Sequence, residues 1–265
     1  MKPEIRIVID KESCTGCGAC KADCSSHVIE IQNEKAVVLR NSCLKCGHCF
    51  AVCPSNAVKM SGCEDEIFEK SDKTVFLDEK SFLTHLKFRR SIRHYKNTPV
   101  EKEKLEKIID AARVTPTARN MQNVRYIVVQ NEIDALEDEV LKQYKKARPM
   151  ALFLSRFVKL PYNVKRYKFE RGFLFHKAPA VILVISQNEI NACLAAMSMK
   201  LMAEALGLGT LYVGLFTAPA NWNRKLRKSL GIARKEKIAA CLALGYSDVQ
   251  YLRSAPRKKA EVVWR

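Results

Sequence analysis

Apolar positions along the second half of the chain recur at helical spacing, then in short continuous runs, and the alternation predicts the elements. In "EKEKLEKIIDAARVTP" (101–116), Leu105, Ile108, Ile109 and Ala112 share one helical face and Pro116 stops the helix. "SFLTHLKFRR" (81–90) predicts a helix with Ser81 as N-cap. "VRYIVVQ" (124–130) and "AVILVIS" (180–186) predict strands, with a charged helix from about 132 to 147 between them. "NEINACLAAMSMKLMAEALGLG" is apolar nearly all round, which predicts a buried central helix ending at Gly207. "TLYVG" and "KIAACLALGY" predict further strands, joined by the helix "ANWNRKLRKSL". This alternation implies an α+β architecture with a covered sheet.

The first sixty residues follow a different rule. "CTGCGACKADCS" (14–25) and "CLKCGHCFAVCP" (43–54) both read C-x2-C-x2-C-x3-C, offset by 29 residues, and their tails "SSHVIEIQ" and "PSNAVKMS" also match. Such self-similarity marks a duplicated unit. Three closely spaced thiolates occupy three corners of an iron–sulfur cube, and the fourth cysteine ligates the cube of the other repeat. One cluster would use Cys14, Cys17, Cys20 and Cys53, the other Cys43, Cys46, Cys49 and Cys24. Gly16, Gly18 and Gly47 suit a backbone wrapped around a cube. Zinc has no use for the third in-line cysteine, and a disulfide framework requires a secreted chain, whereas "MKPEIRIVIDKESC" has no signal-peptide pattern. His48, inside "CGHC", reads as an exposed loop residue. Residues 1–60 resemble a bacterial two-cluster [4Fe–4S] ferredoxin; Ser25 follows Cys24 where proline follows Cys53.

Composition narrows the class. The 265 residues suffice for one or two domains with a substantial core. No apolar run reaches the ~18 residues needed to cross a bilayer, so a cytoplasmic protein without membrane contact is expected. Of eleven cysteines, Cys63, Cys193 and Cys241 lie outside the repeats, the last two in apolar stretches that predict core positions. The net charge is +18, and residues 81–265 carry 35 Lys and Arg against 15 Asp and Glu. A basic second domain beside an electron module made negative by its clusters would favour docking of the two. The acidic stretch 61–80 is the expected linker, packed on the surface through Ile67, Phe68, Val75, Phe76 and Leu77.

Four loop segments carry the chemistry of the second domain: "RRSIRHY" (89–95), "TPTARNMQN" (115–123), "LGLGTLYVGLF" (206–216) and "YLRSAPRKKAEVVW" (251–264). In this order and spacing, residues 81–265 resemble the FMN-dependent nitroreductase family. The resemblance implies a mixed, mainly antiparallel sheet flanked by helices, and a homodimer with two interface flavin sites. It implies that Arg89 and Ser91, with Arg90 alongside, bind the FMN phosphate, and that Arg93 faces the pyrimidine edge, where reduction places negative charge. Thr117, Asn120 and Gln122 match positions that reach the flavin from the second subunit, although Asn123 and Val124 replace the usual Pro-Trp. Gly214 and Leu215 match the backbone beside flavin N5, and Arg257 and Lys259 the C-terminal basic pair on the phosphate.

The resulting expectation is an iron–sulfur flavoprotein oxidoreductase. Electrons would pass from an external donor, a ferredoxin-like protein or NAD(P)H, through two [4Fe–4S] clusters to FMN and a small organic acceptor. Residues 148–177 read as a lid insertion, with Tyr162, Tyr167, Phe169 and Phe173 lining it or packing in the core. Two rival readings stand beside this one. A non-catalytic electron carrier or flavin store would hold the same cofactors without turnover. A nucleic-acid binder would use the cations and aromatics of "KRYKFERGFLFHK" (165–177).

Overall fold

The computed structural model describes residues 5–39, 42–63, 65–70, 77–155, 157 and 167–265. Tyr162, Val75 and Phe76 lie outside the described residues. The chain divides into two compact units, one of Met1–Phe76 with Thr117–Met121, the other of Leu77–Pro116 with Gln122–Arg265.

In the first unit, β1 (Arg6–Ile9) pairs antiparallel with β4 (Val58–Ser61), and β2 (Ile29–Gln32) with β3 (Lys35–Val38). Asn33 and Glu34 close the β2–β3 hairpin at φ 48° and 61°, the paired positive torsions that match strand twist. The helical turns α1 (Ala19–Ala22) and α2 (His48–Ala51) each start from a left-handed glycine, Gly18 or Gly47. The duplication is visible in the backbone itself. Gly16 and Lys45 (φ 68° and 53°), and His27 and Asn56 (φ 49° and 51°), are equivalent positions with equivalent torsions. Lys45 bears the cost of the left-handed region that glycine avoids at position 16. Val28, Ile29, Ala36, Ala57 and Val58 form a small core with Cys14, Cys20 and Cys49.

The second unit is a three-layer sandwich. Its sheet has the order β5-β6-β8-β7, from β5 (Arg125–Val129), β6 (Ala180–Ser186), β7 (Gly209–Tyr212) and β8 (Lys237–Gly245). Every pairing in it is antiparallel. β6 is buried throughout, and its side chains alternate between two cores. Val181, Leu183 and Ile185 face α5 (Ile133–Leu154) and α7 (Gly214–Trp222), whereas Ala180, Ile182 and Val184 face α4 (Lys102–Arg113) and α6 (Glu189–Ala205). A strand covered on both faces has no polar register to keep, which explains the unbroken apolar run.

Several expectations are corrected. The N-cap of α3 (Glu79–Phe88) is Asp78, whose Oδ2 accepts from Ser81 N at 2.8 Å; Ser81 is the donor, not the cap. α5 continues to Leu154 through Pro149 instead of ending near 147. The single helix expected between β7 and β8 is two, α7 and α8 (Arg224–Ser229), because the Asn223 side chain accepts from Leu226 N and restarts the chain. α6 buries one face only: Ile190 is 72% exposed, and Cys193, expected in the core, is exposed. Cys241 is buried as expected. Ile67, Phe68 and Leu77 are exposed, so these linker side chains are not packed down.

A buried carboxylate organises the turn before β6. Glu137 on α5 is 1% exposed and accepts from the amides of Gly172, Leu174 and Phe175 at 2.7, 2.7 and 3.1 Å. Three oriented N–H donors offset the loss of hydration that a buried carboxylate otherwise suffers.

Candidate functional site

The eight repeat cysteines sort into two sets across the repeats. Cys14, Cys17, Cys20 and Cys53 line one cavity of the first unit, and Cys43, Cys46, Cys49 and Cys24 line another. Each set takes three thiols from one repeat and the last thiol of the other. Among the described residues no group of three or more His, Cys, Asp or Glu converges on a single-ion position.

Backbone amides point at these sulfurs. Ala36 N lies 3.4 Å from Cys14 Sγ, Lys45 N 3.3 Å from Cys43 Sγ and Ala57 N 3.3 Å from Cys53 Sγ. Such donors stabilise negative charge on sulfur. Burial pushes the Cys53 thiol up, but the Ser55 hydroxyl and neighbouring amides outweigh it and hold the thiol below its usual range. Burial raises the Cys20 and Cys49 thiols, and adjacent cysteines add to the rise. His48 is exposed. Asn120, in the 3-10 turn Ala118–Asn120, donates through Nδ2 to the carbonyls of Leu44 and Lys45 at 3.1 and 2.8 Å.

In the second unit, a cavity of about 580 Å³ gathers Arg89, Arg90, Ser91, Arg93 and Arg257 with Leu86, Lys87, Lys200, Tyr251 and Ala255. Its lining holds six cationic side chains and no carboxylate. The segment carrying Ser91 is held against β7: Ser91 bridges Thr210, and Ile92 N donates to Thr210 O at 3.0 Å. Arg89 is anchored through Nε to Leu86 O, and the Arg90 guanidinium lies 5.7 Å from the centre of the Tyr251 ring. Arg93 and Arg257 form no hydrogen bond or ion pair with the described residues, so their charge is available to a ligand.

Lys200 is 8% exposed, and its Nζ donates to Glu204 Oε1 at 2.6 Å and to Thr210 Oγ1 at 2.8 Å. The Lys200–Thr210 bond ties α6 to β7 directly behind the arginine segment, and Lys200–Glu204 is a pair within α6. Sequence reasoning missed Lys200, Lys87 and Tyr251 as part of this site. A lysine within the apolar run "LAAMSMKLMAEAL" was the available signal, since a buried amine demands a partner.

The other expected flavin residues are not in this cavity. Gly214 and Leu215 begin α7, where Leu215 O accepts from Tyr144 Oη at 2.6 Å. Lys259 is exposed and lines no part of the cavity. Thr117 and Asn120 belong to the first unit, and Gln122, at φ 46°, to the second. Residues 261–264 are coil, with Val263 and Trp264 82% and 90% exposed. Among the described residues no helix is long and apolar enough to cross a membrane.

The fold and these sites have counterparts in known proteins. Residues 86–246 match the model of the nitroreductase family, and residues 6–69 that of the 4Fe-4S dicluster domain. A protein of Archaeoglobus fulgidus, named as an NADH dehydrogenase/NAD(P)H nitroreductase, is 27% identical over 168 residues, which is 60% of this chain and 80% of the relative. A solved nitroreductase of Bacteroides fragilis with bound FMN has a TM-score of 0.56 at 20% identity, covering 71% of this chain and 98% of that one. An iodotyrosine deiodinase bound to FMN and 3-iodo-L-tyrosine has a TM-score of 0.53 at 22% identity, covering 68% and 97%. At those identities the structural likeness shows the fold. The basic cavity therefore sits in a shared scaffold, and the chain belongs to the nitroreductase family, with a 4Fe-4S dicluster domain preceding its nitroreductase domain.

Proposed function

We propose that the protein is an iron–sulfur flavoprotein oxidoreductase that moves electrons from an external donor, through two [4Fe–4S] clusters and FMN, to a small organic acceptor. The observation that carries this reading is the carboxylate-free cavity of Arg89, Arg90, Ser91, Arg93 and Arg257, in a fold that binds FMN in the Bacteroides fragilis protein. When bound, the clusters exchange single electrons and the flavin collects two for delivery as hydride.

The chain's own residues fit these groups. Arg89, Ser91 and Arg257 would hold the phosphate, with Arg90 fixed by Tyr251 beside them. Arg93 would meet the pyrimidine edge and favour the reduced anion. Gly214 and Leu215 would flank flavin N5. Lys259, at the exposed C-terminal segment, would reach the phosphate from outside the cavity. Each set of four cysteines would hold one cluster, with the amides of Ala36, Lys45 and Ala57 stabilising charge on sulfur. Thr117, Asn120 and Gln122 would complete the flavin site of a partner subunit in a homodimer. The exposed face of α6, with Ile190 and Leu194 72% and 49% exposed, supports such an assembly.

The deciding experiment is anaerobic purification and reconstitution, followed by iron, sulfide and flavin analysis and sedimentation velocity. About eight iron atoms and one FMN per chain in a dimer are expected. Zinc in place of iron, or no flavin uptake, would overturn the reading. Turnover is then tested with reduced ferredoxin and with NAD(P)H against nitroaromatic, quinone and activated-alkene acceptors. Flavin that is reduced but never reoxidised by any acceptor would favour an electron store instead.

A further inference from the structure

Asn120 stands in a segment that packs away from its neighbours in sequence. Thr117–Met121 lies along the chain between α4 and β5 of the second unit, yet it belongs to the first. Its backbone is costly. Arg119, Asn120 and, just beyond the segment, Gln122 have left-handed torsions of φ 53°, 50° and 46°, and none is glycine. Such strain persists only where the surroundings hold it, and it gathers at functional sites.

What the strained turn presents is the Asn120 side chain. Nδ2 donates to Leu44 O at 3.1 Å and to Lys45 O at 2.8 Å, which commits both of its hydrogens. These carbonyls belong to the two residues between Cys43 and Cys46. Leu44 O and Lys45 N share one peptide plane, and in a trans peptide they point in opposite directions. Fixing the carbonyl on Asn120 therefore aims the amide the other way, and that amide lies 3.3 Å from Cys43 Sγ. The second bond, on Lys45 O, holds Lys45 at φ 53°, a torsion that a residue with a side chain avoids when unsupported.

The first repeat makes the same turn without such help. Its counterpart of Lys45 is Gly16, left-handed at φ 68° with no Cβ to strain. The Glu34 carbonyl, in the β2–β3 hairpin, closes on Gly16 so tightly that a Cβ would overlap it. One cysteine loop is thus backed by a hairpin, the other by an asparagine 75 residues further along the chain.

We propose that Asn120 is a positioning residue for the cluster of Cys43, Cys46, Cys49 and Cys24. By holding the carbonyls of Leu44 and Lys45 it aims the Lys45 amide at the Cys43 sulfur and raises that cluster's reduction potential, since a donor on the sulfur stabilises the charge that reduction adds. A residue from the span matched by the nitroreductase family thereby finishes a site whose four ligands lie in the dicluster span.

The test is an EPR-monitored redox titration of the anaerobically reconstituted full chain, with dithionite as reductant. Asn120→Leu keeps the size of the side chain and removes both donors. Of the two one-electron cluster steps, one should fall by about tenfold in its reduction equilibrium, which is about 59 mV for one electron, and the other should stay. Lys45→Gly relieves the torsion, so in the Lys45→Gly background the effect of Asn120→Leu should largely vanish, a coupling that a double-mutant cycle isolates. Should Asn120→Leu lose the cluster outright, iron would fall from about eight to about four atoms per chain, and adding Lys45→Gly should restore it. Steps that both stay, steps that move alike, or an effect equal in the two backgrounds overturns the assignment. Iron content separates this from failure of the function proposed above, on which the inference rests. About eight iron atoms with unmoved potentials overturns the role of Asn120 alone, whereas a wild-type protein that takes up no clusters overturns both.

Discussion

Gly209 of β7 lies so close beneath Ile92 that a Cβ placed on it would overlap the Ile92 side chain, with the Ile92 Cβ only 2.9 Å away. The contact sets the height of the Ser91–Arg93 segment above the sheet, together with the Ile92–Thr210 hydrogen bond. Gly209→Ala should therefore displace that segment and cost about 1–3 kcal/mol by overpacking. Alanine ordinarily improves on glycine within a strand, so a loss is diagnostic. Urea denaturation and FMN titration check it: stability and flavin affinity should fall together, whereas unchanged values would mean that β7 and the arginine segment move independently.

Arg93→Ala tests the electronic role proposed for Arg93, which with Arg257 has no hydrogen bond or ion pair among the described residues. A charge-assisted hydrogen bond is worth ~1.5–3 kcal/mol, which for a two-electron couple corresponds to ~30–65 mV. If, as proposed, Arg93 makes this bond to the reduced flavin, the flavin midpoint potential should drop by that amount. Spectroelectrochemical titration of a variant that keeps FMN reads the shift directly. An unmoved potential would remove Arg93 from the pyrimidine edge.

Cys53 lines the cavity of the first repeat's cysteines and receives the Ala57 amide on its sulfur. Cys53→Ala should lower the iron content, while FMN, for which the proposed contacts Arg89, Ser91, Arg93 and Arg257 lie in the other unit, should stay bound. In stopped flow, dithionite should still reduce the flavin at near wild-type rate, and reduction by a protein donor should collapse. Equal rates with the protein donor would show that electrons reach the flavin without that cluster.

His176 provides a pH test. Burial, helped by the Arg93 charge, holds its imidazole below the ordinary value of 6.5. Between the native value and 6.5 the unfolded chain binds a proton that the native state does not, so stability rises with pH through that window. Stability should be greatest above pH 6.5 and decline as the pH falls below it, until the native imidazole also takes up its proton. His176→Asn, which tolerates the left-handed φ of 52° at this position, should flatten this part of the profile. Denaturant midpoints between pH 5 and 7.5 for both proteins make the comparison; identical slopes would place the titration elsewhere.

What the sequence by itself determined was whatever depends on spacing along one segment. The doubled cysteine run made its grouping legible, since Cys14, Cys17 and Cys20 line one cavity with Cys53, and Cys43, Cys46 and Cys49 another with Cys24. The amphipathic face of α4 and the doubly buried β6 were legible for the same reason, since periodicity is a local property. The arginine segment was recognisable from its order of residues, and three of its basic side chains, Arg89, Arg90 and Arg93, meet in one cavity with Ser91.

Only the tertiary structure decided contacts between distant segments. "DEKS" offers two capping residues three positions apart, and the folded turn selects Asp78. An apolar helix does not state which faces are covered, so Cys193 and Ile190 could be placed only once α6 lay against the sheet. Lys200 and Glu137 are ordinary charged residues in sequence. They become the buried tie behind the arginine segment and the anchor of the 172–175 turn through partners that folding supplies: Thr210 for Lys200, and three amides some 35 residues away for Glu137.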